Sequence, residues 1–287
     1  MNSRRISFCF AALLVPLFFS GCKGKDEIQV AVFGGSANIA DQAAAMSRLA
    51  ATMRRNSVAE APTIGRLPDR VDLSTLPVEV DGLPVIGLSS TTLGPVTFNP
   101  RGGFIVAGPP GSGRTSALKT LALAVHRWRP STHLIYLAPA SATLRDFPGW
   151  ESVGIGVDAI VDVAKTQAVR ILNGELDQEP VAIVIEGLGD LLNTPADLAM
   201  QELAKAAIAA GHLVVAEGDP SLFGGSSPLL QALKGSRYGI ALQPEQVEGT
   251  VVFKTAFPRV ARAQFPVGRG LLVAGGRTGV VQLALAE

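Results

Sequence analysis

Hydrophobic positions along this chain fall into two kinds of run. Short, nearly unbroken apolar runs bounded by glycine, proline or polar residues read as strands buried on both faces. They are Phe104-Ile-Val-Ala107, His133-Leu-Ile-Tyr-Leu-Ala138, Val181-Ala-Ile-Val-Ile185 and His212-Leu-Val-Val-Ala216. Between them the apolar spacing lengthens to that of a helix, first after Thr115 through Leu118, Leu121 and Val125. Val157 to Leu172 and Ala196 to Ala210 read the same way. Strands alternating with helices predict an α/β fold, a doubly wound and mostly parallel sheet with helices on both faces.

Upstream the pattern is weaker. Glu27 to Phe33 predicts a strand ended by Gly34-Gly35, and Ala40 to Arg55 an amphipathic helix with Met46, Leu49 and Met53 on one face. Residues 56–70 are rich in proline and polar side chains, and a boundary is expected there. From Val71 to Pro100 come short strands and turns, among them Leu83 to Leu88 and Pro95 to Phe98. The expected organisation is therefore a leader-like segment 1–24, a piece 25–56, and one large domain 57–287.

One junction carries chemistry. The run Phe104–Ala107 feeds straight into Gly108-Pro109-Pro110-Gly111-Ser112-Gly113-Arg114-Thr115, followed by Ser116 and a helix. This is the strand–loop–helix layout of a phosphate-binding P-loop, GxxxxGK[ST], with arginine in place of the lysine. Glycines at 108, 111 and 113 let the backbone bring its N–H groups close to a ligand. Unpaired donors and the helix dipole at such a junction favour an anion. Gly108 through Ser116 are thus the candidate nucleotide-binding residues, with Thr115 placed to offer a hydroxyl to magnesium. Arginine at 114 keeps the charge, but a planar fork does not fit between two phosphates as a compact ammonium does.

A P-loop needs an acid at the end of a neighbouring apolar strand. Glu186, after Val181–Ile185, is that residue, the candidate catalytic acid and the partner of Thr115 for magnesium held through water. Hydrolytic sites of this kind commonly add a second acid to orient the attacking water. Here the next residue is Gly187, and Asp190 stands three positions further on, where a loop-stabilising role is expected. Glu217, after Leu213–Ala216, is another polar residue expected at the same sheet edge. Two departures, Arg114 and Gly187, predict a site that binds nucleotide and turns it over slowly or not at all.

Composition narrows the alternatives. Hydrophobic residues make up 47% and charged residues 17% of the chain, which excludes a disordered protein. A net charge of +1 carries no global basic field for nucleic acid. The two cysteines, Cys9 and Cys22, both precede the folded body, so a thiolate metal site or a disulfide is not expected within it. His126, His133 and His212 are scattered without ligand spacing and are expected to pack or cap.

Residues 1–24 pull the other way. Arg4-Arg5, an apolar run from Ile6 to Phe19 and Ser20-Gly21-Cys22 form the pattern of a secretory signal, with lipidation at Cys22 as one reading. The run is short for a membrane span, which needs about 20 apolar residues. The other reading, which we favour, is a misassigned start on a piece of a longer protein, because a nucleotide-binding fold has no use for an exported compartment.

With these residues in view, the chain resembles the FtsK/SpoIIIE-type P-loop ATPases, particularly the tandem multi-domain forms of actinobacteria. The resemblance runs from about Glu27 onward. It rests on Gly108–Thr115, on Val181–Leu192, and on Phe257-Pro-Arg259, Phe265-Pro-Val-Gly268-Arg-Gly270-Leu-Leu-Val and Val280-Val-Gln-Leu-Ala. Gly24-Lys-Asp-Glu-Ile-Gln-Val-Ala-Val also reads like a second copy of Gly276-Arg-Thr-Gly-Val-Val-Gln-Leu-Ala, so residues 25–56 are expected to be the end of a preceding ATPase domain. The resemblance implies ATP and Mg2+ at Gly108, Gly111, Gly113, Arg114, Thr115 and Glu186, with nucleotide at interfaces of a ring or head-to-tail array of sister domains. It implies movement of a polymer, either double-stranded DNA or, as in the EccC and EssC type, a secreted protein. A DNA-reading winged-helix module does not follow the domain in this sequence, which favours secretion over sequence-directed DNA translocation. The implied location is cytoplasmic, free or at the membrane.

Overall fold

The computed structural model describes residues 38–58, 65–176 and 179–286. The chain divides into two compact units, Met1–Thr63 and Ile64–Glu287, a division inside the proline-rich stretch 56–70. The strand expected over 27–33 and the leader-like segment with Cys22 lie outside the described residues.

In the first unit, helix α1 spans Ile39–Arg55. The Asn38 side chain caps it by accepting from Ala40 N at 2.9 Å, and Arg54 and Arg55 stand in its last turn, where cations suit the helix dipole. The expected helix forms, yet none of its residues is buried.

The second unit opens with three short strands, β1 (Glu79–Val80), β2 (Leu83–Ser89) and β3 (Pro95–Thr97). Then come β4 (Gly102–Ala107), α2 (Arg114–Trp128), β5 (His133–Ala138), β6 (Ser152–Ile155) and α3 (Val157–Leu172). Next are β7 (Val181–Ile185), α4 (Leu188–Leu191), α5 (Pro195–Ala209), β8 (Leu213–Gly218) and α6 (Pro228–Gly235). The unit closes with β9 (Tyr238–Leu242), α7 (Glu248–Phe253), β10 (Arg269–Ala274) and β11 (Arg277–Leu283).

These strands form one sheet of 11 in the order β1-β2-β11-β10-β9-β4-β8-β7-β5-β6, with β3 beside β2. From β9 to β6 every pairing is parallel, as the alternation of strands and helices predicts. Beyond β9 the sheet continues as an antiparallel extension through β10, β11 and β2. This extension differs from a purely βαβ reading, because antiparallel neighbours need no crossover helix: β10 and β11 form a hairpin, and β11 pairs with β2 from the start of the unit.

Period-two alternation divides the core. In β4, Phe104 and Val106 face one layer with Leu118, Leu121 and Val125 of α2. Ile105 and Ala107 face the other, with α3, α5 and α6. Helix α5 starts where Thr194 caps Ala196 N ahead of Pro195, a position that suits proline because its missing N–H would be an orphan. Gly239 in β9 is required by close approach: its φ is +153°, and an added Cβ would run into the backbone of Ile105, its partner on β4. Among the described residues no helix is long and apolar enough to cross a membrane.

Candidate functional site

The sheet order places β4 between β9 and β8, and β7 on the far side of β8. Consequently the loop after β4, the residue after β7 and the end of β8 converge at the C-terminal edge of the parallel strands, where open α/β sheets bind ligands.

The loop itself is built from backbone. Gly111 (φ +81°) and Gly113 (φ +96°) take left-handed conformations, and Gly113 caps α2. Ala117 N donates to Gly113 O at 2.8 Å and Ser112 N to Pro109 O at 3.2 Å. The Ser112 carbonyl accepts from Gly268 N at 3.1 Å, tying the loop to the start of the β10–β11 hairpin. A Cβ on Gly108 would run into the Ser112 hydroxyl, so glycine there keeps the curl tight. Arg114 and Thr115 begin α2, whose first N–H groups have no intrahelical partner.

The structure brings Thr115 and Glu186 together. Glu186 is buried, and its Oε1 accepts from Thr115 Oγ1 and Thr143 Oγ1, each at 3.4 Å. Its Oε2 accepts from the Tyr136 hydroxyl. Tyr136 stacks on Trp150 with ring centroids 4.8 Å apart, which fixes the donor. Burial and then the hydrogen bond to Glu186 push the Tyr136 phenol upward, so it remains a donor. Neither Tyr136 nor Thr143 was expected from the sequence, although Tyr136 is the one hydroxyl in an otherwise apolar strand core. Tyr136→Phe should keep the stacking but leave the buried carboxylate short of a donor, a loss of about 1–3 kcal/mol. A urea unfolding midpoint measures this, and an unchanged midpoint would remove Tyr136 from the carboxylate's support.

Glu217 takes part in a third contact. It lies within β8, not after it, because the strand runs on to Gly218. Its Oε1 accepts from Gly187 N at 2.6 Å, and Arg114 Nε stands 3.1 Å from Oε2. That ion pair is off the line of the N–H, so Oε2 accepts no hydrogen bond among the described residues. Burial pushes the Glu217 carboxyl up, opposed by the Gly187 N–H and by Arg114. Its stability contribution is therefore complete below the ordinary value of 4.5 and is lost as pH rises through the raised folded value. Glu217→Gln should flatten this part of the stability–pH profile above pH 4.5, as read by melting temperature across a buffer series. A slope identical to that of the parent protein would contradict the burial assignment.

Two clefts flank the loop. One, of about 360 Å³, is walled by Arg114, Gly187, Asp190, Glu217, Asp219 and Ser221. Asp190 is exposed on α4 and forms part of this wall. The other, of about 270 Å³, lies between Gly113, Ser116 and Ala117 on one side and Val267, Gly268 and residues 282–285 on the other. Arg269 organises the latter cleft's rim by donating to Leu67 O, Pro68 O and Asp69 Oδ1 at 3.1, 2.9 and 2.9 Å. The residues of this second cleft were missed apart from Gly113 and Ser116. Their signal lay in the two tail motifs, Phe265–Val273 and Val280–Ala284.

The donors fit an anion held by the loop, and a hydroxyl beside a buried carboxylate fits a divalent cation bound through water. Among the described residues no group of three His, Cys, Asp or Glu side chains could hold a metal without such help. His133 pairs with Glu151, and His212 Nδ1 lies 3.4 Å from Val181 N, so both serve the opposite edge of the sheet.

No family model matches the sequence, and no curated protein does. Solved structures do match the fold. The cytoplasmic domain of the Thermomonospora curvata type VII secretion ATPase EccC superposes with a TM-score of 0.69 at 17% identity, over 88% of this chain and 32% of that one. ATPases 2 and 3 of the same EccC, in complex with a signal sequence peptide, give 0.68 at 19% identity, over 88% and 50%. ATPases 2 and 3 of EssC from Geobacillus thermodenitrificans give 0.63 at 18% identity, over 88% and 52%. This chain thus spans between a third and a half of those structures. Its architecture, with the loop at the C-terminal edge of a mostly parallel sheet, is the P-loop ATPase fold of the EccC and EssC ATPase domains.

Proposed function

We propose that this chain is a nucleotide-binding domain of a secretion-type translocation ATPase, with hydrolysis weak or absent. The observation that carries the reading is the contact between Thr115 and Glu186 beside a glycine loop that opens its N–H groups at the head of α2. The loop holds the phosphates of ATP or ADP through residues 111–116, and the cleft between α2 and the β10–β11 hairpin receives the nucleoside. Thr115 would offer its hydroxyl to Mg2+ and Glu186 would hold the ion through water; when bound, it neutralises phosphate charge. At position 187 a glycine N–H faces Glu217, so no side chain from that position orients a water.

A second reading, a non-hydrolysing docking module, is favoured by an apolar groove between α3 and α5. It is lined by Ala168, Val169, Leu172, Ala206 and Ala209, with Leu172 74% exposed. The signal peptide in the EccC complex is a precedent for a secreted-protein partner, and sister ATPase domains are a further class of partner. Double-stranded DNA is the weaker proposal at a net charge of +1.

One titration separates the two. The full chain is titrated with ATP and MgCl2 while phosphate release is followed in the same samples. Saturable binding with slow release rules out the non-hydrolysing docking module; saturable binding with none is the result the docking module requires and leaves the motor reading only in its hydrolysis-free form. No binding would overturn both.

A further inference from the structure

We propose that the Glu217 carboxylate is an internal stand-in for a terminal phosphate, which makes this site select a nucleoside diphosphate over a nucleoside triphosphate. The proposal rests on the nucleotide reading above and names the ligand of that same site.

The argument begins with position. In the parallel register Val106 pairs with Glu217 and Ile185 with Ala216, so Glu217 emerges between the loop strand and the strand that ends in Glu186. It is only 5% exposed, yet it lines a cleft that meets the loop at Arg114 and shares no lining residue with the proposed nucleoside cleft. A third phosphate, extending beyond the loop away from the nucleoside, enters that cleft.

The guanidinium charge and the backbone donor a third phosphate would need there already face Glu217. Arg114, the residue at the usual lysine position, faces Glu217 Oε2 at 3.1 Å. The Gly187 N–H, at the residue following Glu186, donates to Glu217 Oε1 at 2.6 Å. A buried anion with one guanidinium and one backbone N–H around it is how a phosphoryl oxygen would be held. Two more carboxylates, Asp190 and Asp219, share the cleft wall. Asp219 is held below the usual carboxylate range by Ser221, whose hydroxyl and N–H donate to it at 2.7 and 3.0 Å. The cleft therefore presents three carboxylates and a single guanidinium that is already paired.

The diphosphate meets none of this. Its phosphates rest on the N–H groups at the head of α2, which Glu217 does not occupy. A triphosphate must displace Glu217 from both partners or carry its added charge in beside it.

The test uses the full chain with MgCl2 and a fluorescent ADP analogue as probe, displaced by ADP, by ATP and by a non-hydrolysable imido triphosphate. Both triphosphates are expected to compete roughly 10-fold or more weakly than ADP, the size of one charge-assisted hydrogen bond lost. In Glu217→Ala, which vacates the place, the triphosphate-to-diphosphate affinity ratio should rise by about the same factor. Glu217→Gln, which removes the charge and keeps the shape, should raise it in part and covers the case in which the alanine variant does not fold. Triphosphate binding as tight as diphosphate binding in the parent protein would overturn the proposal, as would a ratio unmoved in both variants. If no nucleotide displaces the probe from any of the three proteins, the nucleotide reading itself fails, a result distinct from loss of selectivity.

Discussion

Phe104→Ala is expected to cost about 3–5 kcal/mol of folding stability, the range for removing a fully buried phenyl ring. Phe104 is wholly buried in the strand that leads into the glycine loop. Its ring meets Phe98 edge-on at 5.5 Å and Tyr238 at 4.9 Å, so it joins β4 to β9 and to the chain just before β4. The cavity would open beneath the layer that carries Leu118 and Leu121 of α2. Against a typical total of about 5–15 kcal/mol, such a loss leaves a marginal protein. Chemical denaturation of the parent and the variant measures it. A difference below about 1 kcal/mol would mean that the aromatic cluster is not a structural centre.

Gly113→Val should abolish useful nucleotide binding while leaving the sheet in place. At φ +96° a β-branched residue is strained, because its Cβ crowds the neighbouring backbone. The added carbon would also stand 3.1 Å from Val267 Cγ1 and 3.4 Å from Gly268 N, inside the proposed nucleoside cleft. Relief requires the head of α2 to turn, which re-aims the N–H groups meant for phosphate. Losing two charge-assisted hydrogen bonds costs about 3 kcal/mol or more, on the order of 100-fold in affinity. Displacement of the fluorescent ADP analogue reads the affinity, and circular dichroism checks the fold. Binding within about threefold of the parent protein would argue that the phosphates lie elsewhere.

Some of this was legible in the sequence for a plain reason. Val181–Ile185 and Val157–Leu172 form a strand and a helix with the expected bounds, because unbroken apolar runs and clear helical spacing end at glycine or polar residues. Strand β9 was not legible: Tyr238-Gly-Ile-Ala-Leu is short, has a glycine at its second position and follows a helix, α6, that is itself only Pro228–Gly235. Its identity as the neighbour of β4 comes from tertiary pairing. Arg114, Gly187 and Glu217 were each visible as polar or unusual residues. That they form one cluster depends on β8 lying between β4 and β7, a fact of sheet order and not of local pattern. The cleft between α2 and the last hairpin was hidden for the same reason, since it joins residues near 70, 115, 268 and 284.

The hydrogen bond from Gly268 N to the Ser112 carbonyl has a consequence for biosynthesis. Strand β4 is flanked by β8 and β9, both translated long after it, and the loop is fastened to a hairpin translated later still. At ribosomal speeds of about 5–20 residues per second, roughly eight to thirty seconds pass between Ser112 and its partner. During that interval the nascent chain carries the glycine loop without its fastening and β4 without either neighbour, two apolar edges open to chaperones. Pairing across so many residues is also slow to close. The capacity to hold a ligand is thus acquired near the end of synthesis, and a ribosome stalled before Gly268 would display the motif without the cradle.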